Sequence, residues 1–211
     1  MSQLTSSPTT ILPTEGRHVL HLFFKVDQTV WRYFDEEEQQ ERLQALEALV
    51  NEVRGLPETQ LLSFSMVTPK ADLGFMMITP DLQQLDITAK KLERVLGDGV
   101  LAPTFSWLSM TERSEYGMND EEYAAKLERE ENLSPAMPGF EAKMQAFRER
   151  IAKYVEERLY PQLPSVEEWP VFCFYPMSKR RNPEQNWYAL PLDVRKKLMH
   201  GHAMVGRGYA G

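Results

Sequence analysis

The sequence predicts an α+β fold: a ferredoxin-like β-α-β-β-α-β half, then a helical insertion, then the start of a second such half. Three observations carry this. Four segments have the apolar, β-branched and aromatic composition of strands: "HVLHLFFKV" (18–26), "LLSFSMV" (61–67), "LGFMMIT" (73–79) and "TFSWLSMT" (104–111). Between the first and second, and again between the third and fourth, apolar residues recur at helical spacing. Both helical stretches also carry start and stop signals. Elements in that order give an antiparallel sheet with helices on one face.

The first half spans 17–117, after a polar tail over 1–16, "MSQLTSSPTTILPTEG", that reads as disordered. The strand at 18–26 is apolar on both faces. Asp35 caps the next helix, with Glu38 three residues on as in a capping box. Leu43, Leu46, Val50 and Val53 follow helical spacing, and Gly55 follows the end. The strand at 61–67 alternates, and a short turn through Pro69-Lys70 leads to the strand at 73–79. Asp81 caps the second helix, whose stripe is Leu85, Ala89, Leu92 and Leu96, with Gly97 after it. In the strand at 104–111, Phe105 and Trp107 share a face.

Residues 118–165 read as a helical insertion. "NDEEYAAKLEREENL" is a charged, exposed helix and "SPAMPG" a loop. From Pro138 to Tyr160 a longer helix carries Phe140, Met144, Phe147, Ile151 and Val155 on one stripe, which Arg158 continues. That arginine either snorkels to solvent or meets a buried anion. Residues 166–211 begin the second half, with a strand over 169–178 and a helix from about 190 to 205. Two such halves make a fold of the dimeric α+β barrel type. The second is incomplete within 211 residues. The sequence is therefore either a fragment, the preferred reading, or a unit that another chain completes.

Composition narrows the function. A content of 42% hydrophobic and 26% charged residues suits a soluble globular chain. The net charge of -7 argues against a general nucleic-acid binder. Lys179-Arg180-Arg181 and Arg195-Lys196-Lys197 are local basic clusters of a kind that is ordinarily a solvated face. The single cysteine, Cys173, rules out an internal disulfide, and no cysteine pair suggests zinc. No signal-peptide core and no run of about 18 apolar residues is present. A cytoplasmic protein without a membrane span is expected.

The chemistry concentrates near the C-terminus. In an extended strand, Tyr175, Met177 and Lys179 point one way and Phe172 and Phe174 the other, so the strand is expected to be central and covered on both sides. Tyr175 then is either a core tyrosine with a bonded hydroxyl or a residue lining a cavity. In the following helix Val194, Leu198, His202 and Val205 share a face, placing His202 on the buried side. A histidine there is ordinarily a satisfied core residue; in the minority case it is a metal or haem ligand. His18 and His21 lie on opposite faces of their strand and suggest no metal site. Glycine-rich phosphate loops, a Gly-x-Ser-x-Gly elbow and a His-Glu-x-x-His motif are all missing. A histidine, a phenol, a methionine and clustered cations suit a flat apolar macrocycle with an iron centre and carboxylate arms.

The runs "FYPMSKRR" and "NWYALPLDVRKKLMHGHAMVGRGYAG", covering Phe174 to Gly211, resemble the coproheme decarboxylase branch of the chlorite dismutase superfamily. The first half resembles it in pattern more than in letters. The resemblance implies subunits of two ferredoxin-like halves, a homopentamer, and an iron porphyrin in the second half. By position it implies that His202 is the proximal iron ligand and that Tyr175 forms the radical that starts each decarboxylation. Lys179 would assist at the propionates, with Arg158, Met177 and Trp187 as further contacts to the porphyrin and its arms. The implied partners are iron coproporphyrin III (coproheme, both substrate and redox cofactor) and hydrogen peroxide. The implied reaction oxidatively decarboxylates two propionates to vinyl groups, giving haem b. Three alternatives stand beside it: a chlorite dismutase or haem peroxidase on the same fold, a non-catalytic haem-binding protein, and a ferredoxin-like dimerisation domain with a core histidine.

Overall fold

The computed structural model describes residues 11–165 and 168–209. The chain divides into two compact units, one of residues 1–112 with 156–163 and the other of 113–155 with 164–211.

The first unit is a four-stranded antiparallel sheet in the order β2-β3-β1-β4. Its strands are β1 (His18–Val26), β2 (Gln60–Ser65), β3 (Leu73–Thr79) and β4 (Leu101–Met110). Helices α2 (Glu36–Arg54) and α3 (Leu82–Arg94) are the two crossovers of the β-α-β-β-α-β unit. Asp35 accepts from the Glu38 amide, and the Glu38 carboxylate accepts from the Asp35 amide, which closes the capping box. Asp81 accepts from the Gln83 amide at the start of α3. Val50, Val53, Leu85 and Leu92 bury against Leu20, Phe24, Phe75 and Met77 of the sheet. Each such burial contributes about 1.5–3 kcal/mol, enough to explain why the apolar stripes dictate where the helices lie.

The other sheet face is also apolar. The register sets Leu62, Met76, His21 and Trp107 in one row and Phe64, Gly74, Phe23 and Phe105 in the next. Phe105 and Trp107 stack at 6.4 Å. A Cβ at position 74 would lie 2.1 Å from the Phe64 ring, so only glycine lets that ring cross the strand. His21 is buried in this face. Burial pushes its imidazole below the ordinary value, against a hydrogen bond with the Trp107 backbone that raises it.

Some elements differ from the sequence reading; the strand expected over 104–111 runs from Leu101 to Met110. The strand expected over 61–67 ends at Ser65, because the Met66 amide already bonds the Asp72 carbonyl in the turn and Val67 stands out in solvent. The short helix α1 (Gln28–Trp31), capped by Asp27, was not expected; at four residues it is too short to show a stripe. Residues 1–10 of the expected tail lie outside the described residues, whereas the Ile11 carbonyl accepts from the Leu82 amide.

In the second unit, α4 (Asp120–Glu131) carries its own capping box, Asn119 with Glu122. Helix α5 (Phe140–Leu159) packs Phe140 and Met144 against Leu127, and Phe147 stacks on Tyr123 at 4.1 Å. Its last four residues belong to the first unit. A tight hairpin of β5 (Arg181–Asn182) and β6 (Gln185–Asn186) follows, then a 3-10 turn at Trp187–Ala189 and α6 (Leu192–Arg207). The Asn182-Pro183 pair is the sequence signal for that hairpin.

The strand expected over 169–178 is not formed. Val171, Phe172, Cys173, Phe174 and Tyr175 have strand composition, but no described segment pairs with them. A ladder needs a partner, and propensity alone does not supply one. Tyr175 and Met177 are consequently exposed rather than covered.

Candidate functional site

The site region of the second unit starts at residue 175. Tyr175 is 65% exposed and Met177 79% exposed. Neither hydroxyl nor thioether has a hydrogen-bond partner among the described residues. The three cations that follow are all held, and each by a neutral group. The Lys179 ammonium lies 4.7 Å from the centre of the Trp187 ring and 3.6 Å from the Met199 sulfur. Arg180 donates to the Gln185 side chain. Arg181 sits over the Tyr188 ring at 4.5 Å. Neutral partners orient a cation without cancelling its charge.

The second basic cluster is different. Arg195 pairs with Glu115 and Lys196 with Glu122 at 2.7 Å. The Lys196 ammonium, first, and then the Asn119 amide hold the Glu122 carboxyl below its usual range. These two cations are committed to carboxylates in the same unit. Two runs that look alike in sequence therefore differ in the structure: carboxylates answer two of the three cations at 195–197, whereas the partners at 179–181 are all neutral.

Trp187 is itself fixed. Its indole N–H donates to the Tyr116 hydroxyl at 3.1 Å, with the two rings edge to face at 6.1 Å. Asn186 accepts from the Tyr188 amide and caps the 3-10 turn that presents Trp187. A hollow of ≈ 650 Å³ opens beside these residues, lined by Lys179, Arg180, Gln185 and Trp187 among others. That volume is within the range of about 300–1,000 Å³ usual for ligand sites. Tyr175, Met177 and His202 lie outside its lining.

His202 lies on α6, three residues beyond Met199, so the two are neighbours on the helix surface. Through Met199, the helix that bears the imidazole touches Lys179. The face shared by Val194, Leu198, His202 and Val205 is not buried as expected. Leu198 is 51% and Val205 65% exposed, and His202 is exposed with them. Helical spacing identifies which side chains share a face; it does not say what covers that face. Arg158 belongs to the first unit, in the last turn of α5, and is exposed, while Leu159 beside it is buried.

These residues fit an iron porphyrin. Among the described residues no three His, Cys, Asp or Glu side chains converge as a metal-binding group. The exposed apolar stripe around His202 suits a flat apolar ring, and the cations at 179–181 suit its carboxylate arms. Tyr116, Met199, Glu115 and Glu122 were not singled out in the sequence. Tyr116 and Trp187 are 71 positions apart, and no local signal joins them.

The chain matches the family model described as chlorite dismutase over residues 39–211. It is 30% identical over 200 residues to a protein of Staphylococcus carnosus named coproheme decarboxylase, covering 93% of this chain and 70% of that one. It is 32% identical over 200 residues to a protein of Natronomonas pharaonis named as a candidate heme-binding protein, covering 93% of this chain but only 30% of that one. A solved structure of a heme-binding protein from Thermus thermophilus superimposes with a TM-score of 0.66 at 30% identity, covering 97% of this chain and 71% of the other. Among the described residues no helix is long and apolar enough to cross a membrane. The family model runs from within the first crossover helix through the whole basic–aromatic region, and on that ground the chain belongs to the chlorite dismutase family.

Proposed function

We propose that the chain binds iron coproporphyrin III and decarboxylates two of its propionates to vinyl groups, with hydrogen peroxide as oxidant. The observation that carries this reading is the run of three cations at 179–181 whose partners are all neutral, the first of them touching Met199, which lies three residues before the exposed His202 on α6. Such an arrangement can receive carboxylate arms and an iron-bearing ring together.

In this reading His202 holds the iron and the apolar stripe of α6 lies against the ring. Lys179, Arg180 and Arg181 hold the carboxylates, with Met177 and Trp187 as further contacts. The bound porphyrin supplies the redox chemistry, since drawing a single hydrogen atom from a phenol with peroxide calls for a redox-active centre. Tyr175 gives up its phenolic hydrogen and then takes one from the carbon β to the ring. The bond from the neighbouring carbon to the carboxyl then breaks, the carboxyl group leaves as carbon dioxide, and the second electron goes to the remaining oxidising equivalent of the peroxide. Each round reduces one peroxide to water and turns one propionate into one vinyl group. The protein's part is to keep phenol and propionate in reach and to exclude other orientations. A homopentamer and a cytoplasmic location belong to the same reading.

Two of the relatives are named for binding heme, which favours a haem-binding protein without turnover as the second reading. One experiment separates them. Porphyrin products are followed by mass spectrometry after adding peroxide to the coproheme complex. The proposal expects haem b from the wild type and intact coproheme, still bound, from Tyr175→Phe. Equal product from both would remove the role of Tyr175, and no product from either would favour the binding protein.

A further inference from the structure

We propose that Met199 is a reversible peroxide-modification site that sets the availability of the Lys179 ammonium. Its thioether sulfur lies 3.6 Å from that ammonium, which also has the centre of the Trp187 ring at 4.7 Å. Lys179 thus rests on two soft, uncharged partners, and its charge stays free for an arriving carboxylate. Met199 is half-buried, reachable by a small oxidant but held in place by α6.

A thioether is a weak acceptor. Peroxide converts it to the sulfoxide: sulfur gains one oxygen and loses two electrons, the O–O bond breaks, and the second oxygen leaves as water. The sulfoxide oxygen is a strong acceptor, and a bond from an ammonium to it is charge-assisted. It would hold Lys179 back from an incoming anion. Sulfoxide reductases reverse the change. This gives the site a response to its own co-substrate: excess peroxide would lower carboxylate binding at 179 until the sulfoxide is reduced. The use made of Lys179 rests on the function proposed above, whereas the coupling of Met199 to Lys179 does not.

The test has two arms, each on the full chain. In the first, no porphyrin is present. The protein is treated with graded peroxide, oxidation at each methionine is mapped by mass spectrometry, and the rate of Lys179 acylation by acetic anhydride is measured. Oxidation of Met199 is expected to slow that acylation about threefold or more, since the new bond favours the ammonium form. Met199→Leu, oxidised to the same extent at its other methionines, should show no slowing, and sulfoxide reductase should restore the wild-type rate. An unchanged acylation rate, or an equal slowing in Met199→Leu, would overturn the proposal. In the second arm, iron coproporphyrin III is titrated into both oxidised proteins. Weaker binding in the wild type alone is the expected result, and equal binding in the two would overturn the regulatory role. Should neither protein bind the porphyrin before oxidation, it is the function reading that fails; the acylation arm still decides the coupling.

Discussion

Lys179 and Lys196 carry the same charge, yet their surroundings give them different work. Lys196 meets the Glu122 carboxylate at 2.7 Å, so its charge is already answered. Lys179 meets a ring and a sulfur, and answers nothing until an anion arrives. Replacing each by methionine should separate them. Lys179→Met is expected to weaken binding of iron coproporphyrin III by about tenfold, the scale of one lost charge-assisted bond. Lys196→Met should leave that binding within about twofold, because an exposed pair is worth little. Absorption titrations of the two variants check this; equal losses would show that the clusters are not functionally distinct. Neither difference was legible in the sequence, where both runs are three consecutive cations. The carboxylates that answer Lys196 and Arg195 lie 74 and 80 positions away, and the indole and sulfur that hold Lys179 are 8 and 20 positions away on other elements.

Among the elements, those with local signals were read well and those needing distant partners were not. The strand at 73–79 matches β3 to the residue, and Asp35 and Asp81 cap the helices they were expected to cap. A cap involves residues two or three apart, so sequence spacing carries it whole. The stretch 169–178 has the composition of a strand, but pairing is a property of two segments, and composition reports one. The stripe on α6 was placed correctly by its period and wrongly by its burial for the same reason. The capping box of α2 offers a direct check on the first unit. Asp35→Ala should destabilise it by about 1 kcal/mol, read as a lower urea midpoint with an unchanged slope. No shift would mean that the box is redundant with the packing of Val50 and Val53.

For the molecule as a whole, the sheet that supports the first unit also makes it sensitive to acid. His21 is buried in an apolar row between Met76 and Trp107. Burial lowers its folded-state value below the ordinary 6.5. Above 6.5 the imidazole is neutral whether folded or not, and it costs nothing. As the pH falls below 6.5 the unfolded chain takes up a proton that the folded chain refuses, so stability is lost toward the lower, folded value. Urea midpoints measured between about pH 7.5 and 5 should fall, and His21→Phe should flatten that part of the profile. A slope unchanged by the substitution would assign the acid sensitivity to the carboxylates instead. Asp72 is one of these: held below its usual value by the Lys25 ammonium and then the Val26 amide, it loses its contribution only at lower pH.

All of the functional reading depends on a porphyrin whose iron takes the imidazole at 202. The most direct measurement is a titration of the full chain with ferric coproporphyrin III, followed in the Soret region, beside the same titration of His202→Ala. The account predicts saturable binding by the wild type with a spectrum of histidine-ligated iron, and loss of that ligation signature in the variant. Identical spectra from the two proteins, or no absorption change with the wild type, would contradict it.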